Sequence, residues 1–99
     1  MSEYNGYKNY ETWLVNLWID NDQAEQSYWL DEVRNFNGDA YELSEALKEH
    51  YECLVPDEPN VMTDLLRSAI SEVDFYEIAE HLIEDYKEQE EENAELWAA

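Results

Sequence analysis

The run Asp74-Phe75-Tyr76-Glu77-Ile78-Ala79-Glu80-His81-Leu82-Ile83-Glu84-Asp85-Tyr86-Lys87-Glu88-Gln89-Glu90-Glu91-Glu92-Asn93-Ala94-Glu95 organises the rest of the chain. Its apolar residues Phe75, Ile78, Ala79, Leu82, Ile83 and Tyr86 recur at steps of three and four, the period of a helix with one buried face. Asp74, with Glu77 three residues on, reads as an N-cap and its reciprocal acid. The opposite face is acidic: Glu77, Glu80, Glu84, Glu88, Glu91 and Glu95 step by 3, 4, 4, 3 and 4 and lie near one line. At a rise of ~1.5 Å per residue the row is about 27 Å long, with a carboxylate roughly every 5 Å. Asp85 flanks the row and Lys87 is its single base. Like charges at i,i+4 repel by about 0.2–0.5 kcal/mol per pair, so a row this uniform calls for a compensating role.

Upstream, the same reading yields four more helices. The first spans Tyr10 to Asn21, capped by Asn9, with a stripe of Tyr10, Trp13, Leu14, Leu17 and Trp18. Asp22 caps the second, Gln23 to about Asn35, which contributes Ala24, Tyr28, Trp29, Leu30 and Val33. Asn37-Gly38 is the clearest break. Asp39 with Glu42 opens the third helix, whose inner face is Ala40, Leu43, Leu47, His50, Tyr51 and Leu54. Its outer face carries a second, shorter acidic row of Glu42, Glu45, Glu49 and Glu52. Pro56 and Pro59 stop it. Asn60 then caps a fourth helix to about Ile70, with Val61, Leu65, Leu66, Ala69 and Ile70 apolar. Residues 1–9, with Asn5-Gly6, read as an irregular arm that tucks Tyr4 and Tyr7 onto the body. From Glu90 onward the end is either a solvated helical extension or a frayed tail. With no repeat and no strand pattern, the class is all-α: one domain over 1–99, a bundle of about five helices with acidic outer faces.

Charge narrows the function. Twenty-six acids against five bases make the net charge -21, while 44% hydrophobic and 14% aromatic residues argue that the chain folds. Residues 1–35 carry seven acids and two bases, 36–70 eight and two, and 71–99 eleven and one. Such a field repels nucleic acid and anionic membrane surfaces and attracts basic protein surfaces. The lone Cys53 excludes an internal disulfide, and the polar start with no apolar span predicts a cytoplasmic protein.

The run Tyr7-Lys8-Asn9-Tyr10-Glu11-Thr12-Trp13-Leu14-Val15-Asn16-Leu17-Trp18-Ile19-Asp20-Asn21-Asp22 resembles a recurrent N-terminal signature of small phage and mobile-element proteins, roughly N-Y-E-T-W-x-V-x-L-W-x-x-N-D. The resemblance implies a setting in which small acidic proteins act against host defences. In composition alone, the C-terminal half is similar to DNA-mimicking inhibitors of restriction and CRISPR enzymes. No site residue carries over from either resemblance.

Catalytic chemistry finds little support. His50 and His81 follow Leu47 and Ile78 at the i−3 position, so the Glu-x-x-His pattern of di-iron bundles is absent, and both read as core histidines. One cysteine and two distant histidines build no zinc cluster, and two glycines build no phosphate loop. Exposed carboxylate rows lack the pocket that drives two pKa values apart. Cys53 and His50 lie one turn apart, with no acyl-binding feature beside them. The expectation is a non-enzyme without cofactor or metal. The aromatics Tyr10, Trp13, Trp18, Tyr28 and Trp29 read as core rather than as a binding patch, with Trp97 the exception.

The acidic rows therefore carry the functional expectation: a DNA mimic occupying the positively charged nucleic-acid-binding surface of a CRISPR effector or restriction enzyme in the host cytoplasm. Glu77, Glu80, Glu84, Asp85, Glu88 and Glu91 would be its contact residues, together with Glu42, Glu45, Glu49 and Glu52, the two rows lying side by side. An adaptor for a basic protein, without mimicry, is the alternative, and a homodimer is compatible with either.

Overall fold

The computed structural model describes residues 4–98, with side chains as far as residue 92. Five helices follow one another: α1 (Tyr10–Asn21), α2 (Gln23–Asn35), α3 (Ala40–Cys53), α4 (Val61–Glu72) and α5 (Phe75–Ala98). No strand occurs among the described residues, and the fold is a single all-α domain. The backbone of α5 is helical to Ala98, so the segment from Glu90 extends the helix. The side chains of Glu95 and Trp97 lie outside the described residues.

The helix starts follow from local chemistry. Asn9 accepts from the Thr12 N–H, Asp22 from Ala24 and Glu25, Asp39 from Glu42, and Asn60 from Thr63; Asp74 accepts from Glu77. Each satisfies a backbone donor that the first helical turn leaves without an intrahelical partner. The reciprocal half of the expected capping box is not made at Asp74 or Asp39. Asp74 N–H donates to Thr12 Oγ1 and Asp39 N–H to the Phe36 carbonyl. Between α2 and α3, Asn37 (φ 55°) and Gly38 (φ 72°) turn the chain in the left-handed region, and Gly38 N–H reaches back to the Val33 carbonyl. In the arm, Asn5 and Gly6 form a tight turn that pairs Tyr4 with Tyr7 through two 2.8 Å hydrogen bonds.

Helix α5 is the hub. It packs most extensively on α3, then on α2 and α1. Tyr51 stacks on Phe75 at one end, and Ala40 shares a groove with Ile83 and Glu84 at the other, so α3 and α5 run antiparallel. Phe75, Ile78, Ala79, Leu82 and Ile83 are buried against Ile19, Trp29, Leu30, Val33, Leu43 and Leu47, as the helical periodicity requires.

In α2, Trp29, Leu30 and Val33 are buried, but Ala24 and Tyr28, read as inner positions, are exposed. Two further helices depart more widely from their sequence reading. In α1 the buried residues are Thr12, Asn16 and Ile19, while Tyr10 and Trp18 are 46% and 67% exposed. Hydrogen bonding explains the rotation. Thr12 links to Asn9 and to Asp74 N–H, and Asn16 donates to Tyr7 Oη (2.9 Å) and Asp20 Oδ2 (3.1 Å). Each inward polar group is thereby partnered. The aromatics instead form a surface cluster in which Tyr4, Tyr10 and Trp13 meet with centroids 5.0–5.7 Å apart. In α4 only Thr63 is buried; Val61, Leu65 and Leu66 are exposed. Leu54, read as an inner position of the third helix, is exposed as well, because α3 has ended at Cys53.

Candidate functional site

The predicted acidic residues separate into three environments. Glu80, Glu84, Glu88 and Glu91 are exposed along the outer side of α5. Glu77 begins the same row but is half-buried, and its Oε1 accepts from the Lys8 N–H at 2.9 Å. That oxygen anchors the arm, while the residue still lines a groove with Glu80 and Glu84. Asp85 is half-buried on the flank facing α1.

That flank extends the acidic surface. Asp20, Asp85, Glu88 and Glu92 line a groove of about 320 Å³ with Gln26 and Gln89, and no base borders it among the described residues. No spacing in the sequence points to Asp20, which stands 65 positions from Asp85; only packing of α1 on α5 unites them. Both carboxyls titrate above their ordinary range. For Asp85 the main cause is burial, reinforced by Asp20 and Glu84 and opposed by His81. Burial also dominates at Asp20, opposed by His81 and by the hydrogen bond from Asn16. Tyr7 lies over His81 with centroids 4.8 Å apart, and its hydroxyl is pushed up by burial, then by Asp20, Glu77 and Asp85. His81 is therefore an exposed ring under the arm rather than a core histidine. His50, half-buried, packs edge-on against Trp29 and Tyr51. Trp29 is the one buried tryptophan among the described residues, and its indole N–H donates to Glu25 Oε2 at 3.0 Å.

The α3 row is built differently. Glu42, Glu45, Glu49 and Glu52 are all exposed. Glu45 and Glu52, however, border a cleft of about 670 Å³ that also gathers Lys8, Lys48 and Arg67, three of the five bases. These bases come from the arm, α3 and α4, so no sequence spacing announces them. Each acidic row lies opposite its own helix's buried face, and both helices turn those buried faces to a common core. Each row consequently lies on the side of its helix turned away from that core.

Little of this charge is neutralised internally. The one ion pair among the described residues joins Arg34 to Asp31 at 3.7 Å on the surface of α2. Among the described residues no group of three or more His, Cys, Asp or Glu is arranged to hold a metal ion. Among the described residues no helix is long and apolar enough to cross a membrane.

Comparison with known proteins gives a narrow result. No curated protein and no solved structure matches the chain. Residues 1–97 match one family model, and the chain belongs to that family, DUF7249, a family of unknown function.

Proposed function

We propose that this protein is a nucleic-acid mimic, occupying the positively charged nucleic-acid-binding surface of another protein through the acidic side of α5. The observation that carries this reading is the continuity of that surface. Glu80, Glu84, Glu88 and Glu91 run along α5, and Asp85 and Glu92 lead the charge around the helix into the groove with Asp20. B-DNA carries a charge every ~1.7 Å along its axis, denser than a single row with ~5 Å spacing. The flanking carboxylates narrow that gap. A partner's Lys and Arg, placed for phosphates, find charge-assisted acceptors instead. The α3 row contributes less, since Glu45 and Glu52 share their cleft with Lys48 and Arg67. The resemblance of the N-terminal signature to phage proteins favours a CRISPR effector or a restriction enzyme as the target.

The test is competition on a nucleic-acid enzyme that the parent protein inhibits. Duplex DNA and this protein should exclude one another, and binding should weaken steeply with salt. Changing Glu80, Glu84 and Glu88 together to Gln keeps helix propensity and relieves i,i+4 repulsion, so the fold should persist. Target affinity should fall at least about tenfold, or ~1.4 kcal/mol. The matching change of Glu42, Glu45 and Glu49 should have the smaller effect. A target that holds DNA and this protein simultaneously would make the protein an adaptor and end the mimicry reading.

A further inference from the structure

Helix α4 is the most sharply amphipathic of the five, yet it turns its apolar side outward. Val61, Met62, Leu65 and Leu66 are 70%, 64%, 58% and 45% exposed, and Ala69 beside them is exposed too. With about 3.6 residues per turn, these five positions fall within roughly 140° of the helix circumference, which makes one stripe. The helix's only side chains that are not exposed are buried Thr63 and half-buried Ile70. A contiguous exposed apolar stripe of this kind marks an interaction surface more often than scattered single residues do.

What covers it is constrained by charge. The stripe is rimmed by Asp57 and Glu58 in the preceding loop and by Asp64 and Glu72 on the helix, all exposed. The helix's one base, Arg67, is turned to the cleft with Lys8 and Lys48. A second copy of this chain would set acidic rim against acidic rim and -21 against -21. We propose that the outer face of α4 docks a basic amphipathic helix of a protein partner, whose apolar stripe covers Val61, Met62, Leu65 and Leu66 while its flanking Lys or Arg meet the acidic rim. The arrangement is the helix-on-helix mode of recognition, with apolar anchors for hold and charge for direction. The inference rests on the mimicry reading only in taking the partner to be basic.

The test uses a synthetic helical peptide of leucine and lysine with its leucines on one face, beside a scrambled peptide of identical composition. Fluorescence anisotropy at physiological salt should show the amphipathic peptide binding the full chain at least about tenfold tighter than the scrambled one. Met62→Gln with Leu65→Gln should erase that preference with circular dichroism unchanged, and Val61→Gln alone should reduce it. The Glu80, Glu84, Glu88 to Gln variant should retain it. Equal binding of the two peptides, binding of neither, or a preference untouched by the α4 substitutions would overturn the proposal and leave the α5 reading standing. Sedimentation revealing a parent dimer that the double α4 variant converts to monomer would overturn it in favour of a second copy.

Discussion

Thr12 shows how a single buried hydroxyl holds distant segments together. It is fully buried, donates to Asn9 Oδ1 at 2.6 Å and accepts from Asp74 N–H at 2.9 Å, while Asn9 Nδ2 donates to the Glu72 carbonyl at 2.7 Å. The two residues latch the start of α1 onto the α4–α5 junction. Thr12→Val keeps the shape but strands the Asp74 N–H, so unfolding free energy in urea should drop by about 1–3 kcal/mol. Thr12→Ser keeps both bonds and loses one methyl, worth roughly 0.8 kcal/mol. A second residue-scale effect belongs to Asp85. Because its native pKa is raised above the ordinary 3.8, its protonated form favours folding. That contribution is complete below the ordinary value and is lost as pH rises through the native one. Asp85→Asn resembles the protonated form at every pH. Its melting temperature should therefore exceed the parent's at pH 7 and converge on it as pH falls to about 3. An offset independent of pH would show that Asp85 is not the group responsible.

Among the elements, α4 and α5 stand at opposite ends. Helix α5 buries five apolar side chains against three other helices, whereas α4 contributes one buried threonine and the half-buried Ile70 and packs mainly on α1 and α3. Protection against local opening scales with such burial. Amide hydrogen exchange should accordingly be fastest, among helix interiors, in α4, and slowest in the Phe75–Ile83 half of α5. Equal protection in the two would mean that the α4 face is covered in solution. The contrast also bears on function: the acidic surface sits on the most firmly held helix and the apolar stripe on the least.

At the scale of the whole molecule, charge dominates. A net charge of -21 on a body of 57 × 30 × 23 Å, with one internal ion pair among the described residues, places much like charge within a few screening lengths. The Debye length is about 10 Å at 0.1 M salt and about 30 Å at 0.01 M. Raising sodium chloride from about 0.01 to 0.1 M should thus raise the melting temperature by screening repulsion that the unfolded chain relieves by expanding. A melting temperature insensitive to salt would mean that the carboxylates are too dispersed to repel effectively.

What short-range chemistry controls is legible along the chain. Asn9, Asp22, Asp39, Asn60 and Asp74 start the five helices because a capping side chain acts on a donor only two or three residues away. The buried face of α5 follows from its own 3.6-residue period, and the exposed sides of α3 and α5 are acidic because glutamates recur there at steps of three and four. Which face of α1 and of α4 turns inward is instead set by packing between helices, and that packing is where the rest of the architecture comes from. Buried hydrogen bonds at Thr12 and Asn16 reoriented α1, and α4 met too little of the bundle to bury its own apolar stripe. Packing also tied Glu77 to the arm and joined Asp20 to Asp85. Lys8, Lys48 and Arg67 came into one cleft the same way. These pairings span tens of residues, and their partners are chosen by how whole helices pack, a choice that periodicity along one helix does not encode.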